Sequence, residues 1–258
     1  MPLLLLLLVG LLAGPATAQA PAPAPTSFWA KQLGYPRVRT AYARCWPTLA
    51  AQLQAQHLDS ARLEVFFRLI KTRRALEVWA RNQGEPAFRQ LRSYPLAATS
   101  GTLGPKRRAG DGQVPEGFYT IDRFNPQSTY HLSLGLNYPT ADDILATGLA
   151  DPGGDIFLHG ADVTVGCLPL TNAGIEEVYL LAVAARAAGQ ASISVHLFPF
   201  PLVDSELRQR MASTRLFGGD WRQVTPILRR TGRCPPPGCQ LSTPRRRRPR
   251  GRSGLQEC

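Results

Sequence analysis

Between residues 63 and 80, apolar and polar positions alternate with a period close to two. Leu63, Val65, Phe67 and Leu69 fall on one side, with Glu64, Phe66, Arg68 and Ile70 on the other. This is β-strand spacing, because successive strand side chains point to opposite faces. Lys71-Thr72-Arg73-Arg74 interrupts the pattern as a polar turn, and Leu76, Val78 and Ala80 resume it. A β-hairpin is predicted there, with a further short strand over residues 87–92. The same period returns at Thr129–Leu136, where Tyr130, Leu132, Leu134 and Leu136 share a face. It returns again at Ser192–Phe198, with Ile193, Val195 and Leu197 inward. Ile156–Leu158 is a short apolar strand that delivers His159 at its end.

Elsewhere the period lengthens. Val38–His57 reads as a helix with Leu49, Leu53 and several alanines on one face, and Pro47 as a break or a helix start. Thr171 or Asn172 can cap a second helix, whose positive end Glu176 and Glu177 complement and which Gly189 stops. Ile175, Val178, Tyr179, Ala182 and Val183 form its apolar stripe. Asp204–Ser213 is a third candidate helix. Past Leu216 the chain becomes rich in Gly, Pro and Arg, a composition that cannot bury enough apolar surface to order itself. The fold class expected is therefore α+β: short strands with a few packed helices over residues 61–213. An Ala/Pro linker and a short helical extension (19–60) precede it, and a disordered basic tail (214–258) follows.

The first residues change where this domain is expected to work. The leucine-rich run from Pro2 to Ala13 is shorter than the roughly 20 apolar residues a spanning helix needs. Ala16-Thr17-Ala18 behind it has the small-x-small pattern of a cleavage site. Residues 1–18 read as an export signal, and the protein is expected to be periplasmic or secreted. The formal net charge of +12 includes six arginines within Arg245–Arg252, which favours polyanionic partners. In an exported chain these are anionic envelope polymers, and no nucleic acid is expected. Five cysteines leave at least one unpaired in an oxidising compartment. Cys45, Cys234, Cys239 and Cys258 lie in the flanking regions, whereas Cys167 stands inside an apolar, glycine-rich stretch. By position, Cys167 is the thiol expected to be free. No CxxC or HxxxH spacing supplies a metal set, so neither metal nor cofactor is expected.

That stretch, IFLHGADVTVGCLPLTN, sets His159 and Cys167 eight residues apart with a glycine beside each. A thiol that attacks a carbonyl needs ionisation, a base and donors for the developing oxyanion. His159 can be the base, and the Gly160 carbonyl can orient the ring through its other nitrogen. Gly166 permits close backbone approach in the oxyanion region. On these residues alone, a structural histidine beside a buried, inert cysteine is the more ordinary reading. His131 and His196 lie in alternating segments and read as core or rim histidines, and Trp79, Phe66 and Phe67 read as core.

His159-Gly160 followed by Thr164-Val165-Gly166-Cys167 resembles the active-site signature of the L,D-transpeptidase (YkuD-type) catalytic domain. Further blocks are similar to the periplasmic murein transpeptidase-like branch of that family. They are Gly104–Tyr119, Asn125–Leu134, Tyr138-Pro139, Ile175–Tyr179 and Val195–Phe200. The family's second histidine, immediately before Gly-Cys, is Val165 here, and the base is the earlier histidine. The resemblance implies a mainly-β catalytic domain in which the Cys167 thiolate attacks a peptidoglycan tetrapeptide stem and His159 moves the protons. D-Alanine would leave and a thioester would remain, resolved by an amine as a cross-link or by water as hydrolysis. Thr164 and Tyr138 would contact substrate. Lys106, Arg107 and Arg108 would form a cationic rim for the stem's carboxylates, unless they are a solvated turn paired with Asp111 and Glu116. The competing functions are a murein peptidase using the same pair and a non-catalytic peptidoglycan-binding module. The protein is expected to act as a monomer on peptidoglycan stem peptides.

Overall fold

The computed structural model describes residues 27–201. The leader, most of the Ala/Pro linker, the helix expected at Asp204–Ser213 and the arginine-rich tail lie outside the described residues. The predicted hairpin is present as β1 (Leu63–Ile70) and β2 (Ala75–Asn82), paired antiparallel from Leu63↔Asn82 to Ile70↔Ala75. Their turn closes at Arg74, which takes the left-handed conformation. The remaining strands are β3 (Arg89–Pro95), β4 (Gly117–Asn125), β5 (Ser133–Leu136), β6 (Phe157–His159), β7 (Leu168–Pro169) and β8 (Ser194–Phe198). They form an eight-stranded sheet in the order β3-β2-β1-β8-β4-β5-β6-β7. The last of the described strands, β8, is thus inserted at the centre, parallel to β1 and antiparallel to β4.

Among the described residues, four α-helices accompany the sheet: α1 (Phe28–Leu33), α2 (Pro36–Ala55), α3 (Ala141–Thr147) and α4 (Asn172–Ala187). Thr171 caps α4, its hydroxyl accepting from the Gly174 N–H at 3.1 Å. The expected stripe on α4 is buried, but so are Leu180, Leu181, Ala184 and Ala185. A helix that is apolar nearly all round must be covered on both sides. The sheet covers one side of α4, and α1 and α2 pack against it as well. Val38, Ala41, Cys45, Leu49 and Leu53 are the buried positions of α2, and Tyr179 donates its hydroxyl to the buried Gln32 of α1 at 2.7 Å. The helical extension is therefore part of the core. No helix among the described residues is long and apolar enough to cross a membrane.

Several expectations are corrected. α2 runs unbroken through Pro47, whose own turn simply does without one backbone hydrogen bond. The alternating segment Thr129–Leu136 becomes a strand only from Ser133, because His131 has φ 75° and turns the backbone out of the extended region. α1 and α3 were not foreseen. They are short elements set by local capping: Ser27 caps α1, and Thr140 and Asp143 form a reciprocal capping box on α3.

His196 of β8 sits among aromatic rings, 5.3 Å from Phe66 and 5.0 Å from Phe118 between centroids. Phe66 stacks in turn on Trp79. Burial there, and then the nearby Arg68 charge, push the His196 pKa down from 6.5 to about 4. Between those values the unfolded chain takes up a proton that the folded chain refuses, so stability is complete above pH 6.5 and falls with falling pH. Urea melts at pH 7 and pH 4.5 should show wild type losing about 2 kcal/mol more than His196→Phe across that interval. Equal losses for the two proteins would mean that His196 is not held neutral by the fold.

Candidate active site

β6 and β7 are adjacent parallel strands with Leu158 opposite Leu168 and His159 opposite Pro169. This register brings the two ends of the glycine-rich stretch together, with Cys167 immediately before β7. The Phe157 N–H points at the Cys167 Sγ from 3.3 Å, and the Asp155 carbonyl oxygen lies 3.5 Å from the same sulfur. His159 and Cys167 are both buried, at 1% and 0% exposure. Pro169 lacks an N–H, yet β7 is the edge of the sheet, where a missing ladder donor is tolerated.

The imidazole has a defined orientation. His159 Nδ1 lies 2.5 Å from the Gly160 carbonyl oxygen. A carbonyl only accepts, so the hydrogen resides on Nδ1 and Nε2 is the basic nitrogen. The peptide that carries this carbonyl is itself anchored, because its Ala161 N–H donates to Asn172 Oδ1 at 2.9 Å. The Tyr130 ring lies 4.9 Å from the imidazole, tilted by 36°. Asn172 and Tyr130 were not singled out for this role by the sequence. Asn172 was assigned only a possible cap, and Tyr130 lies far from His159 along the chain, so spacing carries no signal of either contact.

Gly166 has φ 120°, and a Cβ there would sit 3.0 Å from the Gln113 carbonyl oxygen. Only glycine combines that conformation with so close an approach. The loop of residues 101–116 thus packs directly against the turn that presents Cys167. Thr164 holds the turn from inside: its hydroxyl donates to the Cys167 carbonyl at 2.8 Å and accepts from the Gly166 N–H at 3.2 Å. Val163 and Val165 flank it and are exposed.

The cationic loop is arranged differently from a row of three free charges. Lys106 is buried, with its ammonium on Asp111 at 2.7 Å and on the Arg108 carbonyl at 3.0 Å, while Arg107 and Arg108 are exposed. Burial raises the Asp111 carboxyl, but Lys106 and the backbone N–H groups of Arg107, Gln113 and Arg108 outweigh it and hold the pKa at about 2. Glu116 instead binds Lys71, which lies outside this loop, at 3.0 Å. Tyr138 is buried behind a cis Tyr138–Pro139 bond, with its ring 6.0 Å from Tyr119. Burial, followed by the charges of Asp143, Asp111 and Asp151, raises its phenol pKa.

The cysteines reverse the sequence expectation. Cys167 is disulfide-bonded. Cys45 is the free thiol among the described residues. Position in a flanking segment gave no hint of this, because α2 folds back as part of the core. Cys45 is buried there, its thiol 3.5 Å from Glu176 Oε2. Burial is the largest of the effects that raise its pKa.

The geometry can be set beside known proteins. Two proteins named "Putative L,D-transpeptidase YafK", from Escherichia coli K12 and O157:H7, are each 34% identical to this chain over 164 residues. The alignment covers 63% of this chain and 64% of theirs, so just under two thirds of their length is spanned. Among solved structures, the helical cell shape determining protein Pgp2 of Campylobacter jejuni is 24% identical with a TM-score of 0.43, covering 54% of this chain and 49% of that one. Bd1075 of Bdellovibrio bacteriovorus is 20% identical with a TM-score of 0.38, covering 58% and 53%. Both structural likenesses are too slight to carry an argument. The family model of the L,D-transpeptidase catalytic domain, YkuD, matches residues 66–187, which include His159, Gly166 and Cys167. Residues 66–187 thus carry the L,D-transpeptidase catalytic domain of the YkuD family.

Proposed function

We propose that this protein is an exported, cysteine-dependent L,D-transpeptidase that acts on peptidoglycan stem peptides through a thioester acyl-enzyme. The observation that carries this reading is the parallel β6–β7 register. It brings the Cys167 turn beside the strand bearing His159, whose Nδ1 hydrogen is committed to the Gly160 carbonyl. The imidazole then has one job left for its Nε2, which is to take a proton and give it back.

The chemistry starts from the reduced protein. A dithiol reductant gives up two electrons and two protons to the Cys167 disulfide, leaving two thiols and an oxidised reductant. His159 Nε2 takes the Cys167 thiol proton, and the thiolate attacks the carbonyl of the stem's diaminopimelate residue. The Phe157 N–H supports a sulfur that carries charge. Collapse of the tetrahedral species breaks the bond to D-alanine, which leaves with the proton from His159. The thioester is then opened by an amine of a second stem, giving a cross-link, or by water, giving the shortened peptide. Arg107 and Arg108, exposed on the loop that packs against Gly166, are the cations that can reach a stem carboxylate. Lys106 serves the loop itself. The six tail arginines offer a separate, salt-sensitive attraction to anionic envelope polymers.

Intact mass spectrometry with a carbapenem tests the nucleophile, and a tetrapeptide stem tests the reaction. The reduced full chain should gain one adduct, the unreduced chain should gain it only after dithiothreitol, and Cys167→Ser should gain none. An adduct that persists in Cys167→Ser would place the chemistry on another residue. Folded His159→Gln should acylate about 10²- to 10⁴-fold more slowly, the range general-base catalysis supplies. A wild-type rate in that variant would remove His159 as the base. With the stem peptide, dimer identifies the transferase and tripeptide alone the hydrolase.

A further inference from the structure

We propose that α2 is a positioning element for His159, acting through a strap formed by residues 128–132; this rests on the reading of His159 as the base. α2 lies before residues 66–187, the part of the chain that the family model matches. Its exposed Arg37 nevertheless reaches the site. Arg37 Nη1 donates to the Ser128 carbonyl at 2.7 Å and to the His131 carbonyl.

The strap is gripped from α4 as well. His131 Nε2 meets Glu176 Oε1 at 2.6 Å, and Arg44 of α2 donates to the other oxygen of that buried carboxylate. Between these two grips His131 holds φ 75°, a conformation that non-glycine residues keep only where surrounding contacts over-determine it. The consequence falls on Tyr130 and Gly160. The strap carries the Tyr130 ring against the imidazole, and the carbonyls of Tyr130 and Leu132 accept the Gly160 N–H at 2.9 and 3.2 Å. Gly160 is thus held by the strap through its N–H while its own carbonyl holds His159 Nδ1. A Cβ at Gly160 would sit 2.8 Å from the Tyr130 carbonyl oxygen, so the strap lies tight against this residue. Arg37 and Glu176 touch none of the reacting atoms. They are positioning residues, and the distance over which they act ends at one imidazole.

Arg37→Ala, Arg37→Lys and Arg39→Ala in the reduced full chain test this. Arg39 is an exposed neighbour on α2 whose side chain, among the described residues, bonds only the α1–α2 connection, at Leu33 and Gly34. Arg37→Ala should slow carbapenem acylation about ten-fold at unchanged carbapenem affinity, a modest share of the roughly 100-fold that a 1 Å misplacement can cost. Arg37→Lys should recover most of that loss, and Arg39→Ala should match wild type. A second readout is independent of turnover. With ¹⁵N-labelled histidine, wild type should show a protected His159 ring N–H, assigned by its loss in His159→Gln, and Arg37→Ala should lose that protection. Wild-type acylation and an unchanged ring signal in Arg37→Ala would overturn the inference. So would equal losses in Arg37→Ala and Arg39→Ala that track melting temperature, since that pattern is general destabilisation. If wild type itself is never acylated, the proposed chemistry fails, and the ring signal still decides whether the strap positions His159.

Discussion

Between Ile175 and Ala185 the side chains of α4 are buried on nearly every side, so the helix has no face to offer water. It needs two covers, and supplying them arranges the rest of the molecule. The sheet is one cover, with Val65, Phe67, Leu69, Val195 and Leu197 among its buried side chains. The N-terminal helices are the other, with Leu49, Leu53 and Val38 inward. Removing the second cover would strip Tyr179 and Glu176 of the partners they find there, Gln32 of α1 and Arg44 and Cys45 of α2. The N-terminal extension is for this reason inseparable from the domain, even though the family likeness begins after it.

The same burial brings polar groups into contact that have no reason to meet from sequence. Glu176 is the eleventh-hour exception on a greasy helix: a carboxylate with 3% exposure. A buried charge must be paired and hydrogen-bonded or it is strongly destabilising. Arg44, His131 and Cys45 meet that need, two of them from α2 and one from the strap. The pairing that solves an electrostatic problem in the core therefore also fixes a loop beside the candidate base. The loop of residues 101–116 follows the same logic on the opposite side. Lys71 and Lys106 are drawn inward and satisfied by Glu116, Asp111 and backbone carbonyls, including those of Gly104 and Val114. The result is a wall with its own internal ion pairs, against which Gly166 rests.

What was legible in the sequence followed from periodicity and from the chemistry of single residues. The β1–β2 hairpin, the central strand at Ser194–Phe198, and α4 with its cap at Thr171 all announce themselves by local pattern. The Gly160 carbonyl could be named as an orienter because it is adjacent to His159 in the chain. Features that depend on contacts across the fold were not legible. The strand expected from Thr129 begins only at Ser133, since the left-handed turn at His131 is imposed by Arg37 and Glu176, which lie 94 residues before it in one case and 45 residues after it in the other. Lys106 looked like its neighbours Arg107 and Arg108 because sequence cannot show that Asp111 folds back beneath it. Cys45 looked peripheral, and Cys167 unpaired, because both readings took distance along the chain for distance in space.

The arrangement has a consequence for what the site can select. Thr164 spends its hydroxyl inside the turn, Lys106 spends its charge inside the loop, and Tyr138 is buried. Each of these groups was expected to face substrate, and Thr164 and Lys106 are instead committed to bonds within their own segments. The groups left exposed on these two segments include the guanidinium groups of Arg107 and Arg108, the Asp162 carboxylate, and the apolar side chains of Val163 and Val165. Guanidinium binds carboxylate in a planar, two-point geometry, whereas valine offers only shape and dry surface. On the proposed reading, the two arginines would meet an anionic group of the substrate and the valines would lie against an apolar part of it. Beneath these side chains, the Thr164 hydroxyl holds the turn before Cys167 and the Gly160 carbonyl holds the His159 ring.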